Sequence, residues 1–333
     1  MDNEKKLLEI IDLYTFFDTK RGTVKAVNNV SYTVEEGKTL GVVGESGSGK
    51  SVSAMSILRL LDGNGYIAGG EILFNGVDLT KLPLSEMYKI RGNDISVIFQ
   101  EPMTSLNPVF SIEQQLSEPF IIHQGLSKKE AAEKSVDLLR EVKIPNPEIV
   151  AKQYPHQLSG GMRQRVMIAM ALCCNPDMLI CDEPTTALDV TIQAQILQLL
   201  KEIQKQLHTA MIFVSHNLGV VADIADRVAI MYAGKIVEQG PVDDIFYEPA
   251  HPYTKGLLRS MPRVDAESYE RLIPIEGTPV DMLNPPEGCP FAPRCEHCMK
   301  ICLKKMPPYV EVGEKHRSAC WLRVQELMNK EEK

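Results

Sequence analysis

The segment Gly44–Ser51 restricts the fold of this 333-residue chain more than any other, because it has the pattern of a phosphate-binding loop. The apolar run Leu40–Val43 before it predicts a buried strand, and a helix is predicted from about Ser51 to Leu61. In such a loop the glycines let backbone N–H groups surround an anion, and the helix N-terminus faces the same phosphates. We expect Lys50 to reach the β- and γ-phosphates of a nucleotide and Ser51 to ligate Mg²⁺. The loop residues are Gly44, Glu45, Ser46, Gly47, Ser48, Gly49, Lys50 and Ser51.

Two carboxylates follow a second apolar run, Met178–Cys181. Because ligands bind at the carboxyl ends of strands in parallel α/β sheets, this run predicts a strand that carries Asp182 and Glu183 to a binding edge. Asp182 is placed to hold Mg²⁺ through water, and Glu183 to orient and deprotonate an attacking water. A solvated strand end is the alternative, which the phosphate loop disfavours.

A second anion-binding helix start is predicted at Ser159, Gly160 and Gly161, which open a helix that continues through Arg163 to Leu172. One γ-phosphate cannot be surrounded by two such termini of the same subunit. The segment therefore points to a site completed by a second molecule.

Together these motifs resemble the ATP-binding subunit of an ABC transporter, with Gly44–Ser51 as Walker A, Leu158–Met162 as signature and a Walker B ending at Asp182 and Glu183. The resemblance assigns Gln100 to the Q-loop, where it contacts Mg²⁺ and couples to membrane subunits. It places His216, the switch histidine, at the γ-phosphate, although Asn217 stands where an acidic residue is common. It further matches Ala187–Asp189 to the D-loop, stacks Phe17 or neighbouring Phe16 on adenine, and adds Val52 to the ATP-binding residues.

The family resemblance implies a head-to-tail dimer, in which the signature of one subunit closes over ATP on the Walker A loop of the other. ATP binding then favours the closed state and hydrolysis the open one. Both halves of the site are intact in this sequence, so we expect a subunit that hydrolyses ATP.

The implied fold is α/β, a P-loop NTPase of the ABC nucleotide-binding type with a parallel RecA-like core, an antiparallel β subdomain and an α-helical signature subdomain. We assign this domain to 7–250, with the helical subdomain at about 105–175. The remainder, 251–333, is predicted to be a small regulatory or docking extension with a cysteine cluster at 289–320. In this division, Lys128 to Val142 forms one helix, and strands lie near 178–181, 210–214 and 228–232.

Composition limits where the protein acts. The formal net charge of −8 gives no overall nucleic-acid footprint. No apolar stretch reaches the roughly 18 residues that a transmembrane helix needs, and the start of the chain has no signal-peptide core. We therefore expect a peripheral protein at the cytoplasmic face of the cell membrane, where its eight cysteines would not form a disulfide framework.

A closer resemblance, to the ATPases of oligopeptide, dipeptide and nickel importers, rests on Phe99–Pro108 and His251–Leu258. It implies an ATPase that powers the uptake of di- or oligopeptides, with nickel or another small solute as the alternative. The implied partners are a second ABC ATPase subunit, more often a paralogue than a copy, two transmembrane permease subunits and an extracytoplasmic solute-binding protein. His251–Leu258 itself predicts a turn opening a helix, with a docking or structural role.

The tail carries four cysteines at C-x₅-C-x₆-C-x₁₇-C spacing, with Cys298 as a fifth. Soft thiolates in a reducing compartment suit Zn²⁺ or an iron–sulfur cluster. The lack of C-x₂-C knuckles on both sides disfavours a zinc finger, but Cys295 and Cys298 form one such pair, so zinc stays an alternative. Six Lys or Arg against three Glu in this segment would offset the negative charge of a cluster, or form a solvated basic face. Some members of the subfamily carry a [4Fe-4S] cluster at a similar pattern, which makes it the favoured ligand here over zinc or no metal. The four predicted ligands are Cys289, Cys295, Cys302 and Cys320.

Two other classes of function fit less well. DNA-repair ABC ATPases insert long coiled coils between Walker A and the signature, and translation factors carry two cassettes, whereas this chain has one cassette and a short insertion without sustained heptads. A non-catalytic binding module is disfavoured by the intact Lys50, Asp182, Glu183 and His216.

Overall fold

A computed structural model describes residues 5–186, 188–261 and 273–331. Its strands are β1 Lys6–Thr19, β2 Gly22–Glu35, β3 Thr39–Val43, β4 Gly65–Phe74, β5 Val77–Asp78, β6 Ile95–Ile98, β7 Met178–Asp182, β8 Ala210–Ser215, β9 Arg227–Tyr232, β10 Lys235–Pro241, β11 Val310–Gly313 and β12 His316–Ser318. Its α-helices are α1 Lys50–Ile57, α2 Leu84–Ile90, α3 Pro102–Ser105, α4 Ile112–Gln124, α5 Lys128–Glu141, α6 Pro147–Val150, α7 Gly160–Leu172, α8 Val190–Leu207, α9 Leu218–Ile224, α10 Val242–Tyr247, α11 Pro252–Arg259 and α12 Trp321–Glu331. Two 3₁₀ turns span Pro155–Gln157 and Ala292–Arg294.

The described residues divide into two compact units. The first contains residues 5–7, 34–38 and the described part of 81–213. In it, β6 runs parallel to β7, with Ile95 opposite Met178 and Ile98 opposite Cys181, and β8 lies on the other side of β7. Helices α4, α5 and α7 pack together. Their apolar faces form a core through Leu116, Ala131, Leu139, Val166 and Ile168.

Local sequence explains the helical part of this unit. Ser111 and Ser127 close capping boxes with Gln114 and Glu130, which satisfies backbone donors at the starts of α4 and α5. Gly125, with a φ of 65°, ends α4 in the left-handed conformation that glycine adopts without strain. The helix predicted over Lys128 to Val142 is therefore confirmed.

The second unit contains residues 8–33, 39–80 and the described part of 214–331. One of its sheets has the strand order β2-β1-β4-β5, with Leu8 antiparallel to Phe74. The other places β11, β12, β10, β9 and β3 side by side, and only the β3–β9 pair among these is parallel. The α/β fold with an antiparallel β-rich part is confirmed, as are the strands predicted at 178–181, 210–214 and 228–232.

One predicted boundary is wrong. The helix after the phosphate loop ends at Ile57 rather than near Leu61. Arg59 takes a left-handed φ of 54°, and Leu60 N donates to Met55 O, which closes the end of the helix. An apolar pattern alone does not reveal such a turn. No helix in the described ranges is long and apolar enough to cross a membrane.

Candidate functional site

The phosphate loop leaves the fully buried strand β3 and leads into α1. Gly49, the residue before α1, has a φ of 96°, and a Cβ there would lie 2.2 Å from Ala26 O. Both the left-handed backbone and this close approach require glycine. The loop is thus fixed between its strand and its helix in the conformation that the motif predicts.

Lys50 turns back across the loop with its side chain buried. Its ammonium Nζ donates to Gly44 O at 2.8 Å and to Glu45 O at 2.9 Å. The hydroxyl of Ser48 is buried without a hydrogen-bond partner in the described part of the chain, which is costly unless a ligand uses it. Ser51 and Val52 follow at partly exposed positions. The loop therefore offers positive charge and polar groups to an anion.

The acidic strand end lies in the first unit. β7 is buried throughout, Asp182 is its last residue, and Glu183 follows with a φ of 47°. This conformation costs a non-glycine residue on the order of 1 kcal/mol, and such strain concentrates at functional sites.

Neighbouring side chains fix the Glu183 carboxylate. Its Oε2 accepts hydrogen bonds from Gln100 Nε2 at 3.1 Å and from Thr186 Oγ1 at 2.9 Å. The structure thus joins Gln100 and Glu183, whereas the predicted contact of Gln100 with Mg²⁺ stays a prediction. The sequence motifs do not predict Thr186 as a site residue. Its position three residues after Glu183 is the sequence signal that could have identified it as a partner of that carboxylate.

The signature segment opens α7 as predicted. Ser159 is the N-cap, and its hydroxyl accepts from Met162 N at 3.3 Å. Leu158 is buried and anchors the segment, whereas Ser159 and Gly160 are exposed and Gly161 is partly exposed. The start of α7 therefore presents free backbone donors at the surface of the first unit.

His216 and Phe17 belong to the second unit. His216 is exposed directly after β8, and Asn217 caps α9 by accepting from Gly219 N at 3.0 Å. Asparagine caps a helix as well as aspartate does, so the departure at Asn217 has a structural solution. Phe17 packs on Gly65, whereas Phe16 lies edge-on to Tyr66, and the choice between these two rings for adenine stays a prediction. In the D-loop, Ala187 lies outside the described residues, and Asp189 caps α8.

The predicted cluster ligands meet in the tail. One cavity of about 20 Å³ is lined by Cys289, Cys295, Cys302, Cys320 and His251. The four cysteines are free thiols. Cys298 is also a free thiol, but it is exposed and does not line this cavity. Burial raises the pKa of Cys289 to about 12 and that of Cys295 to about 11. In the described ranges, no three His, Cys, Asp or Glu side chains are grouped closely enough to hold a metal ion. The donor types suit a soft metal, although the described side chains are not grouped as metal ligands.

His251–Leu258 has a structural part in the tail. α11 begins at Pro252, and the ring Nδ1 of His251 caps it by accepting from Tyr253 N at 3.0 Å. Glu238 of β10 is fully buried and accepts from His251 N at 2.9 Å and from His316 Nε2 at 2.8 Å. Glu238 thus fastens both the start of α11 and β12 to β10.

A strand–phosphate loop–helix unit, an acidic strand end and a capped signature helix are the parts of an ATP-binding cassette. A family profile described as ABC transporter matches residues 27–186, and one described as Oligopeptide/dipeptide transporter, C-terminal region matches residues 237–302. Among solved structures, the dimeric bacterial ABC transporter cassette MJ0796 is similar with a TM-score of 0.64 and 26% identity, covering 71% of this chain and 98% of the cassette.

The comparison with curated proteins extends over nearly the whole chain. The oligopeptide transport ATP-binding protein OppD of Bacillus subtilis is 52% identical over 95% of this chain and 89% of its own length. The dipeptide transport ATP-binding protein DppD of Lactococcus lactis is 51% identical over 96% and 91%. The chain therefore belongs to the ABC transporter family, in the group of oligopeptide and dipeptide transport ATP-binding proteins, and is an ATPase of the ABC type. The division into 7–250 and 251–333 stays a prediction.

Proposed function

We propose that this chain is the ATP-hydrolysing subunit of an importer that carries di- and oligopeptides across the cytoplasmic membrane. The observation that carries the proposal is the near full-length similarity to peptide-transport ATPases in a chain whose catalytic motifs are all present. Nickel or another small solute is the alternative cargo, because the ATPase itself does not select the substrate.

In the proposed mechanism the phosphate loop and Lys50 hold the β- and γ-phosphates of ATP, and Phe17 stacks on adenine. Ser51, Gln100 and Asp182 would hold Mg²⁺, which neutralises developing phosphate charge. The bonds from Gln100 and Thr186 aim the Glu183 carboxylate, which orients and deprotonates water, while His216 contacts the γ-phosphate. Preorganised charge of this kind supplies most of the rate enhancement in phosphoryl transfer.

The site is completed by a second ATPase subunit. Ser159, Gly160 and Gly161 of each chain serve the ATP of the other, which agrees with their exposure at the start of α7. A paralogue is the proposed second subunit. Two transmembrane permease subunits receive the closing motion through the Gln100 region, at the cytoplasmic face of the membrane, and an extracytoplasmic solute-binding protein delivers the cargo.

The test of this proposal is Glu183→Gln in the assembled transporter. We expect turnover to fall by about 100-fold, the range for removing one acid–base element, while ATP binding persists because the carboxamide keeps the size of the side chain. Thr186→Val, which removes only the hydroxyl on Glu183, is a milder companion variant. A Glu183→Gln complex that loses less than about threefold in turnover would refute the assignment of Glu183 as the base.

We further propose that Cys289, Cys295, Cys302 and Cys320 hold a [4Fe-4S] cluster. Their convergence on one cavity supports this proposal. Anaerobic purification followed by iron and sulfide analysis tests it. A colourless protein with stoichiometric zinc would exclude the cluster.

A further inference from the structure

Arg294, in the cysteine segment, reaches the phosphate loop. Its guanidinium forms a two-pronged ion pair with the carboxylate of Glu45, with Nη1 2.7 Å from Oε2 and Nη2 3.0 Å from Oε1. Only 4% of the Arg294 side chain and 27% of the Glu45 side chain are exposed. A part-buried pair with this fork geometry is stronger and more directional than a fully exposed salt bridge.

Further hydrogen bonds, to backbone carbonyls and to Tyr232, hold the guanidinium in place. Its Nε donates to Glu276 O at 2.9 Å and its Nη2 to Ile275 O at 3.1 Å, while Tyr232 lies against it with its hydroxyl 3.3 Å from Nη1. The Glu45 carboxylate raises the pKa of Arg294, so the positive charge is permanent. Arg294 is therefore a fixed charge rather than a mobile surface side chain.

Glu45 is gripped at its backbone as well. Its N–H donates to the Tyr253 hydroxyl at 2.9 Å, and its carbonyl accepts from Lys50 Nζ at 2.9 Å. Tyr253 is fully buried on α11, where its ring packs 5.3 Å from that of Phe291. The C-terminal segments thus hold the side chain and the amide of the residue whose carbonyl positions Lys50.

The negative charge of Glu45 is unfavourable for phosphate binding, and Arg294 neutralises it. A carboxylate in the phosphate loop would repel the phosphates of ATP, and like charges repel more strongly at a partly desolvated protein surface than in bulk water. Arg294 neutralises this carboxylate and at the same time fixes the loop.

We propose that Arg294 and Tyr253 are positioning residues for ATP binding: Arg294 neutralises Glu45, and Tyr253 holds its backbone, so that the phosphate loop and Lys50 are ready for the phosphates. This inference rests on the proposed function of the loop as the ATP site. It assigns to the C-terminal segments a direct part in nucleotide affinity.

Magnesium-dependent binding of a fluorescent ATP analogue to the full-length chain tests the inference, together with the KM for ATP and kcat of the assembled transporter. For Arg294→Met we expect Kd and KM to rise about tenfold, the scale of a lost charge-assisted bond, with kcat within about twofold. The second substitution in Arg294→Met/Glu45→Gln removes the uncompensated charge and is expected to restore most of the affinity. Arg259→Met is the matched control, because Arg259 is exposed and its carboxylate partner Glu296 is 4.0 Å away.

A purely structural role for Arg294 gives a different pattern. It would lower the thermal midpoint of Arg294→Met without changing Kd, or change Kd without relief by Glu45→Gln, and either result overturns the inference. Tyr253→Phe keeps the packed ring and removes only the hydroxyl that accepts from Glu45 N. It replaces Arg294→Met in the test if that variant does not fold. Unchanged ATP affinity in Tyr253→Phe would also overturn the inference. Failure of the proposed function itself appears separately, as a wild-type complex without ATP turnover.

Discussion

At the scale of single residues, His251 shows how burial sets chemistry in the tail. The ring is fully enclosed, and burial lowers its pKa from 6.5 to about 4, against the opposing effect of the Glu238 carboxylate. Neutral His251 accepts from Tyr253 N through Nδ1, and a proton on that nitrogen would remove the cap of α11. The folded protein therefore requires the neutral ring.

A loss of stability in mild acid follows from this pKa. Because the folded pKa lies below the unfolded one, the unfolded chain binds the extra proton between the two values, and stability falls as the pH is lowered through this window. Between about pH 7 and about pH 5 the contribution of His251 amounts to about 2 kcal/mol. In urea unfolding, His251→Asn, which keeps a capping acceptor but does not titrate, should lose less stability over this range than the wild type. Equal slopes of stability against pH would contradict the prediction.

Sequence patterns predict the candidate site residues more readily than the way in which those residues are held. Glycine spacing, Lys50 and the acidic strand end are local patterns, and the structure places each where its motif predicts. The left-handed backbone of Glu183 and its bond from Thr186 depend on how the chain turns after β7, which hydrophobic periodicity does not encode.

At the scale of elements, the two glycines at the start of α7 differ, because packing restricts Gly161 but not Gly160. A Cβ on Gly161 would lie 3.0 Å from Ile192 Cγ2, so packing restricts that position. A Cβ on Gly160 meets no atom of the described residues within 4 Å. Packing in the described chain thus leaves room for a side chain at Gly160. In the proposed mechanism, close approach of the phosphate of a second subunit's ATP would require glycine there.

Gly160→Ala should accordingly separate stability from activity. We expect the thermal midpoint to stay the same or rise slightly, because alanine favours the helix by up to about 1 kcal/mol over glycine. ATP turnover of the assembled transporter should fall about tenfold or more, since the new methyl group stands among the donors that close the partner site. Gly161→Ala, by contrast, should lower the thermal midpoint in addition to reducing turnover. Wild-type turnover in Gly160→Ala would mean that no phosphate approaches this turn closely.

At the scale of the whole molecule, strand pairing within the second unit connects the C-terminal strands to the strand that precedes the phosphate loop. β12 pairs with β10, β10 with β9 and β9 with β3, the strand that leads into Gly44. Two explanations are expected for basic residues in the tail, a cluster's counter-charge or a solvated face. Arg294 follows neither, because its partner is Glu45. That pairing joins residues 249 positions apart, and only the folded chain reveals it.

This connection predicts that the cysteine cavity affects ATP affinity. Arg294 directly precedes Cys295, one of the lining thiols, so disturbing that ligand should loosen the grip on Glu45. For Cys295→Ser we expect loss of the iron that the proposed cluster would supply, and ATP binding weakened by about threefold to tenfold, no more than for Arg294→Met. Cys298→Ser is the matched control on the same segment: its thiol is exposed and lies outside the cavity, so iron and affinity should both be retained. If Cys295→Ser loses its iron and still binds the fluorescent ATP analogue like the wild type, the cavity and the phosphate loop act independently, and the Arg294–Glu45 pair holds the loop whatever the state of the cysteines.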